Sequence, residues 1–255
     1  MRYEVADGVA TLTLDNPDAR NVLDVDTMAA LSEGLDRAGS DPSVRVVVLT
    51  AEGRAFCAGA DLKGAASADR GSFTSDGPGA LVAVLEGLLD CPKPTIARVQ
   101  GHVAGGGNGL VAACDFAVAA DDVHLAFSEV RVGVAPAVIS VVCLNRMHPR
   151  DGIELLLLGE RVPAARAVQA GLVNRAVPRA ELDEAVADYV RALKLGGPQA
   201  LRATKNLLRR VPGMPRTEAF KWTAEVSAHL FNGDEAIAGM TAFLSKQPAP
   251  WVESD

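Results

Sequence analysis

Short apolar runs that suit β-strands alternate with segments of helical periodicity over the first 130 or so residues of the chain. The run from Val44 to Leu49 is rich in β-branched residues and lies between turn signals, which is typical of a strand buried on both faces. Apolar residues at helical spacing from Met28 to Leu35 precede it, after a predicted N-cap at Asp26-Thr27. Strands that alternate with helices in this way predict an α/β fold in which helices pack on sheets.

The predicted elements divide the chain into two parts. Up to about Pro149, strands and helices alternate, with a hairpin within 2–14, a helix over 79–89, a strand over 95–99, a helix over 107–114, and strands over 116–119 and 124–127. Beyond Pro149, helices dominate, over 153–158, 163–170, 182–193, 199–211, 217–230 and 235–246, with one strand-like piece over 172–177. The last helices have apolar faces, which suggests burial in an oligomer.

Composition and charge exclude several classes of function. Hydrophobic residues make up 49% and charged residues 22% of the chain, which is ordinary for a folded globular protein. The net charge of −7 has the wrong sign for a general nucleic-acid binder. No apolar run reaches the length of about 18 residues that a membrane span needs, and Arg2, Glu4 and Asp7 are unlike a secretory signal. We expect a cytoplasmic protein that binds neither nucleic acid nor membrane.

Cysteine and histidine spacing gives no sign of a metal site. The cysteines lie far apart in apolar stretches, without a CxxC pair, so we predict buried free thiols at Cys57, Cys91, Cys114 and Cys143. The four histidines show no HxxxH spacing, so we expect no zinc.

Three segments have residues that suit catalysis. In the first, Arg54–Leu62, small residues around Gly59 allow a ligand to approach the backbone and leave the N–H of Ala60 free. In the second, Gly101–Leu110, a glycine cluster between a strand and a helix collects free N–H groups at the positive helix end. The third places Glu129 at the end of a predicted apolar strand, where a carboxylate can act as acid or base. Each segment alone also fits a plain structural role.

The glycine cluster does not match a dinucleotide site. With Gly105 and Gly107 as the first two glycines of GxGxxG, the third falls on Leu110, so we rank a dinucleotide-binding oxidoreductase last. The motifs GxSxG, GxxxxGK[ST] and HExxH do not occur, which disfavours nucleophilic catalysis and metal-dependent hydrolysis. Backbone donors aimed at a developing oxyanion are the more general use of such a cluster.

Together and in this order, these segments resemble the crotonase superfamily, the enoyl-CoA hydratase/isomerase group. The resemblance covers nearly the whole chain, and the matching segments are LTLDNP at 12–17 with NVL at 21–23, AFCAGADL at 55–62, GHVAGGGNG at 101–109, CDFAVA at 114–119, SEVRVG at 128–133, 164–178 and GMTAF at 239–243. It implies a spiral of ββα repeats over 1–195 and a C-terminal helical trimerisation region over 196–255. It also implies a homotrimer or dimer of trimers and an acyl-CoA thioester substrate, with no separate cofactor because CoA is carried as part of the substrate.

The resemblance assigns roles to residues at matching positions. The N–H groups of Ala60 and Gly106 would form the oxyanion hole for the thioester carbonyl, and Glu129 would act as general acid/base. The residues implied in CoA binding are Ala19, Arg20, Ala58, Asp61, Leu62 and Gly105, with Phe243 and Lys246 supplied by a neighbouring subunit. The candidate cations for the CoA phosphates are Arg20, Lys63, Lys205 and Lys246.

One position departs from the pattern of two-glutamate hydratases in this family. Their first glutamate falls on Gly109, so Glu129 is the one carboxylate of the pair that remains. The stretch Gly133–Ser140 is similar to that of hydratases acting on branched acyl-CoAs. We therefore rank an enoyl-CoA hydratase slightly ahead of a Δ3-Δ2 isomerase that uses Glu129 alone, and a catalytically inactive acyl-CoA-binding homologue is the third alternative.

Overall fold

A computed structural model describes residues 1–60 and 76–252 of the chain. The strands are β1 (Arg2–Ala6), β2 (Val9–Leu14), β3 (Val46–Ala51), β4 (Ala55–Cys57), β5 (Thr95–Val99), β6 (His102–Ala104), β7 (Phe116–Ala120), β8 (His124–Ala126), β9 (Arg161–Pro163) and β10 (Arg175–Val177). The helices are α1 (Val25–Ser40), α2 (Asp76–Asp90), α3 (Gly106–Ala113), α4 (Ala137–Cys143), α5 (Pro149–Leu158), α6 (Ala164–Ala170), α7 (Leu182–Lys194), α8 (Pro198–Arg210), α9 (Arg216–Phe231) and α10 (Asp234–Leu244). Turns of 3₁₀ helix lie at Ser128–Val132, Arg179–Glu181 and Val211–Gly213.

From β3 to β8, consecutive strands alternate between two sheets. The large sheet has the order β1-β2-β3-β5-β7-β10, and the small sheet has the order β4-β6-β8-β9. The pairs β3/β4, β5/β6 and β7/β8 therefore each give one strand to the large sheet and one to the small sheet. Helices α2 and α3 follow the first two pairs along the chain. This arrangement is the predicted α/β spiral of ββα repeats.

The centre of the large sheet is buried and mostly apolar. All six residues of β3 are buried, and β3 lies between β2 and β5 in parallel register, with Leu12 opposite Leu49 and Val48 opposite Ile96. Full burial of one valine, leucine or isoleucine side chain contributes about 1.5–3 kcal/mol to stability. The prediction of a strand buried on both faces is confirmed, although the strand begins two residues later than expected.

The N-cap of α1 lies earlier than the sequence analysis predicts. Asp24, not Asp26-Thr27, precedes the helix, and its carboxylate accepts a hydrogen bond of 2.7 Å from the N–H of Thr27. Asp26 lies inside the first turn, where a negative charge is favourable because of the helix dipole. Asp24 and Asp26 are both suitable N-cap residues by type, and Asp24 is the one that caps the helix.

Several short elements were not predicted. The strands β6 and β9 have three residues each, which is too short for an alternating pattern to be visible in the sequence. Helix α4 is rich in valine and isoleucine, which favour strands when considered alone. Glu129 lies within a 3₁₀ turn rather than at a strand end, because β8 ends at Ala126. The other predicted elements agree with the structure to within a few residues.

The cysteine prediction is confirmed. Cys57, Cys91, Cys114 and Cys143 are all free and buried. Burial raises the pKa of the Cys57 thiol to about 12, and burial together with the nearby Asp115 charge raises the pKa of Cys114 to about 12. Both thiols therefore stay protonated near neutral pH.

The C-terminal helices are linked to the sheet by the guanidinium of Arg45. It donates to the carbonyl oxygens of Gly196 and Trp251 at 2.7 and 2.9 Å. Helices α9 and α10 nevertheless leave large apolar side chains exposed, among them Phe220 and Phe231. The division into regions 1–195 and 196–255 stays a prediction. None of the helices in the described ranges is both long and apolar enough to cross a membrane.

Candidate active site

The three segments singled out from the sequence follow three neighbouring strands of the small sheet. Strands β4, β6 and β8 are adjacent and parallel. Ala58–Ala60 comes directly after β4, Gly105 after β6, and the turn with Glu129 after β8. Because the carboxyl ends of parallel strands lie at one edge of a sheet, the fold brings the three segments together at that edge.

The first two segments meet at Gly59. A Cβ atom on Gly59 would lie 3.1 Å from the oxygen of Ala104 and 3.3 Å from the nitrogen of Gly106, and the φ of Gly59 is +86°. A side chain here would push the two loops apart, and the backbone conformation itself favours glycine. The absence of a side chain therefore places Ala60 beside the start of α3.

Two main-chain amides at this contact, those of Ala60 and Gly106, have no acceptor among the described residues. Leu23 donates its N–H to the oxygen of Gly59 at 2.8 Å, and Gly105 donates its N–H to the oxygen of Ala126 at 3.1 Å. Among the hydrogen bonds of the described residues, none has the N–H of Ala60 or Gly106 as donor. Gly106 also begins α3, where the helix dipole is positive. Free amides of this kind can stabilise a developing oxyanion.

The carboxyl group of Glu129 lies against the same loop. A Cβ atom on Gly105 would be 3.5 Å from Oε1 of Glu129, and Oε2 is buried without a hydrogen-bond partner in the part of the chain that is described. Burial raises the pKa of Glu129 above the ordinary glutamate value, against a smaller opposing effect of its own backbone N–H. A half-buried carboxyl with a raised pKa is suited to accept and return a proton.

Asn108 and Cys143 have side chains that lie next to the loop at Gly105, and the sequence analysis did not predict either position. The side-chain amide of Asn108 donates to the oxygens of Gly105 and Ala126 at 3.3 and 2.8 Å. The thiol of Cys143 lies 3.6 Å from the backbone oxygen of Asn108, and burial and the Glu129 charge both raise its pKa. The available signal was one polar residue within the small and apolar sequence of α3.

The position of the missing second glutamate is filled by apolar atoms. A Cβ atom on Gly109 would lie 2.5 Å from Cγ2 of Ile139 and 3.4 Å from Cδ2 of Leu85. Ile139 and Leu85 are both buried, at 2% and 4% exposure. Gly109 is therefore not an open gap, because α4 packs directly onto it.

The predicted CoA-binding residues of the N-terminal half lie next to the first loop. Ala58 donates its N–H to the oxygen of Arg20 at 3.1 Å, and Arg20 is exposed with a φ of +55°. Ala19 is half-buried beside it. Asp61, Leu62 and Lys63 lie outside the described residues.

The predicted CoA-binding residues near the C-terminus do not join the site within one chain. Phe243 is 82% exposed near the end of α10, and Lys246 is exposed just beyond it. Among the described hydrogen bonds and ion pairs, none connects either residue to the loops at Gly59 and Gly105. Their predicted contact with CoA from a neighbouring subunit stays a prediction.

The prediction that Lys205 serves a CoA phosphate is wrong. Its ammonium group lies 2.8 Å from the carboxylate of Asp115 and donates to the oxygens of Leu88 and Lys93 at 3.1 and 3.2 Å. Its side chain is only 13% exposed. All three of its N–H donors are thus used inside the protein.

Comparison with known proteins shows the family. Residues 4–254 match the family described as enoyl-CoA hydratase/isomerase. The chain belongs to this family, and its fold is the crotonase fold. Enoyl-CoA hydratase EchA19 of Mycobacterium tuberculosis is 33% identical over 240 residues, which cover 92% of this chain and 90% of that protein. Carnitinyl-CoA dehydratase of Salmonella typhi is 32% identical over 249 residues, with 95% and 94% covered. The crystal structure of an enoyl-CoA hydratase from Mycobacterium smegmatis superposes with a TM-score of 0.93 at 33% identity, with 98% of each chain covered.

The raised pKa of Glu129 predicts how stability depends on pH. Because the folded pKa is above the unfolded value, this carboxyl stabilises the fold below the ordinary glutamate pKa, and the contribution is lost as pH rises through the folded pKa. We expect Glu129→Gln to raise the unfolding midpoint relative to wild type at about pH 8, and the difference to vanish near about pH 4. Thermal denaturation across this range measures it, with the exposed Glu181→Gln as control. A difference independent of pH would contradict the prediction.

The contact between Gly109 and Ile139 predicts strong coupling between the two positions. Gly109→Ala should lower the free energy of unfolding by about 1–3 kcal/mol, because its Cβ would overlap Cγ2 of Ile139. In an Ile139→Ala background, which lacks Cγ2, the same change should cost less than about 1 kcal/mol. Urea denaturation of the four proteins measures the coupling, and Gly213→Ala, which meets no atom within 4 Å, is the control. Equal costs in both backgrounds would show that Ile139 does not fill this space.

Proposed function

We propose that this protein is an enoyl-CoA hydratase, which adds water to a 2-enoyl-CoA thioester through an enolate. The amides of Ala60 and Gly106 hold the thioester oxygen, and Glu129 is the general acid/base. The observation that carries the proposal is the position of the Glu129 carboxyl against Gly105, directly beside the free N–H of Gly106. The names of two relatives, an enoyl-CoA hydratase and a carnitinyl-CoA dehydratase, also favour addition or removal of water.

The proposed reaction has two proton transfers. The carboxylate of Glu129 takes a proton from water as the water oxygen bonds to C3, and the electrons of the C2=C3 double bond move to the thioester oxygen as an enolate. The carboxylic acid then returns a proton to C2, and the enolate reverts to the thioester. Glu129 ends as it began, and the same steps in reverse remove water from a 3-hydroxyacyl-CoA.

The two amides supply the electrostatic part of catalysis. Negative charge develops on the thioester oxygen only as the enolate forms, so donors fixed in place favour the transition state over the bound substrate. Removal of one such donor typically costs about 2.7–4 kcal/mol of transition-state stabilisation. The raised pKa of Glu129 complements these donors, because the group must both accept and release a proton.

A second candidate is a Δ3-Δ2 enoyl-CoA isomerase, and the packing at Gly109 favours it. With Ile139 and Leu85 filling that position, the described residues offer no second carboxylate near Glu129 to hold a water molecule. In this reaction, Glu129 removes a proton from C2 of a 3-enoyl-CoA and delivers it to C4 as the double bond moves to C2=C3. The dienolate formed between these two proton transfers is held through its thioester oxygen by the same two amides.

Substitution of Glu129 tests both candidates. We expect Glu129→Gln to reduce kcat by at least about 100-fold, because the amide cannot accept and return the proton. Turnover is measured with crotonyl-CoA, 3-methylglutaconyl-CoA and a 3-enoyl-CoA by the ultraviolet absorbance of the conjugated thioester. Hydration of the first two identifies a hydratase, and conversion of the third alone identifies an isomerase.

The controls for this test separate loss of chemistry from loss of binding. Glu181→Gln, on an exposed turn, should retain full activity, and calorimetry should give Glu129→Gln the same affinity for an acyl-CoA as wild type. If the kcat of Glu129→Gln is within tenfold of that of wild type, Glu129 is not the general acid/base. Binding of acyl-CoA by the wild type without turnover of any substrate would instead identify an inactive acyl-CoA-binding homologue.

We also propose that the protein assembles as a homotrimer or a dimer of trimers. Exposed apolar side chains on α9 and α10, including Phe220 at 71% and Phe231 at 65% exposure, support this assembly because a monomer rarely leaves so many uncovered. Light scattering should give about three or six times the chain mass of 26.5 kDa. Phe220→Asp should shift the assembly towards monomer. A wild-type monomer at micromolar concentration would contradict the proposal.

A further inference from the structure

Asn108 is a fully buried polar residue within α3. It is 0% exposed, and α3 otherwise consists of glycine, alanine, leucine and valine. Its side-chain amide donates to the oxygen of Ala126 at 2.8 Å and to the oxygen of Gly105 at 3.3 Å. Its own backbone N–H also donates to the oxygen of Gly105 at 2.9 Å.

These bonds connect the two halves of the proposed active site. Gly105 immediately precedes the free amide of Gly106, and Ala126 ends the strand that leads into the turn with Glu129. The N–H of Gly105 donates to the same oxygen of Ala126 at 3.1 Å. Gly105, Asn108 and Ala126 are thus joined to one another by hydrogen bonds. These bonds connect the loop that begins at Gly105 to the end of β8, which leads to Glu129.

Packing does not account for an asparagine at this position. The side-chain oxygen of Asn108 is buried without a hydrogen-bond partner among the described residues, and an unsatisfied buried acceptor lowers stability. An apolar residue of helical preference would fill the space without this cost. The feature that distinguishes Asn108 from an apolar residue is therefore its pair of side-chain hydrogen bonds to Gly105 and Ala126.

We propose that Asn108 is a positioning residue that holds the Gly106 amide and the Glu129 carboxyl in register for proton transfer beside the thioester. This inference rests on the proposed function. Small misplacements of reacting groups cost large factors in rate, so loss of the two side-chain bonds should lower kcat more than it affects binding of the substrate.

Gln100 provides a matched control. It is 8% exposed, donates through its side-chain amide to the oxygens of Gly53 and Ala55 at 3.3 and 3.4 Å, and also leaves its side-chain oxygen buried without a partner in the described part of the chain. It has the same kind of bonds as Asn108, but they join other segments. Gln100→Ala therefore measures the loss of a buried amide alone.

The experiment compares Asn108→Ala, Asn108→Ser and Gln100→Ala with wild type on the best enoyl-CoA substrate. We expect Asn108→Ala to lower kcat by roughly 10- to 100-fold with KM within about threefold of wild type, and Gln100→Ala to keep kcat within about threefold. Asn108→Ser should recover part of the loss, because a helical serine hydroxyl can donate to the carbonyl three residues earlier, which is that of Gly105. The pH profile of kcat should shift to lower pH in Asn108→Ala as Glu129 becomes better hydrated.

The outcomes separate this inference from the proposed function. A wild-type protein without turnover would end the proposed function, and this inference with it. If the wild type is active, two results would overturn the positioning role alone. The first is an Asn108→Ala variant with the same kcat as wild type. The second is a Gln100→Ala variant that loses as much kcat as Asn108→Ala, together with an unchanged pH profile of Asn108→Ala. If Asn108→Ala does not fold, the kcat and pH profile of Asn108→Ser decide, and an unchanged kcat overturns the inference.

Discussion

The close approach of two backbone segments at Gly59 and Gly106 is the contact on which the proposed site depends. A Cβ atom at Gly59 would lie 3.3 Å from the nitrogen of Gly106, and the φ of Gly59 is +86°, so a side chain at this position would strain the contact. The same approach leaves two amides without acceptors in the described protein. Ala60 is exposed and Gly106 is half-buried, so a ligand can reach this edge, and the proposed site uses the two amides as donors to a thioester oxygen.

The spiral topology brings the segments that form this contact together. Strands that are far apart in the chain, β4, β6 and β8, become neighbours in the small sheet because every repeat adds one strand to each sheet. The large sheet, with the fully buried β3 at its centre, supplies the rigid support. The most deeply buried strand thus lies in the large sheet, whereas the residues of the proposed site follow strands of the small sheet.

Local patterns were sufficient to predict the alternation of strands and helices and the three candidate segments, because glycine clusters and apolar runs are visible in the sequence. The ββα spiral and the pairing of Ala60 with Gly106 were implied by the resemblance to the crotonase superfamily, and the fold brings Glu129 to the loop that begins at Gly105. The role of Asn108 and the packing of Ile139 could not be predicted, since each depends on contacts between segments 18 or 30 residues away. The assignment of Lys205 to a phosphate failed for the same reason, because its partner Asp115 is distant in the chain.

The packing of Ile139 on Gly109 also constrains how this protein can change over evolutionary time. A larger residue at position 109 meets Cγ2 of Ile139, and a smaller residue at position 139 leaves an unfilled cavity. Either substitution made first lowers the stability of the intermediate, although the pair together can be tolerated. The residues at positions 109 and 139 are therefore expected to change together, because each fits the present size of the other.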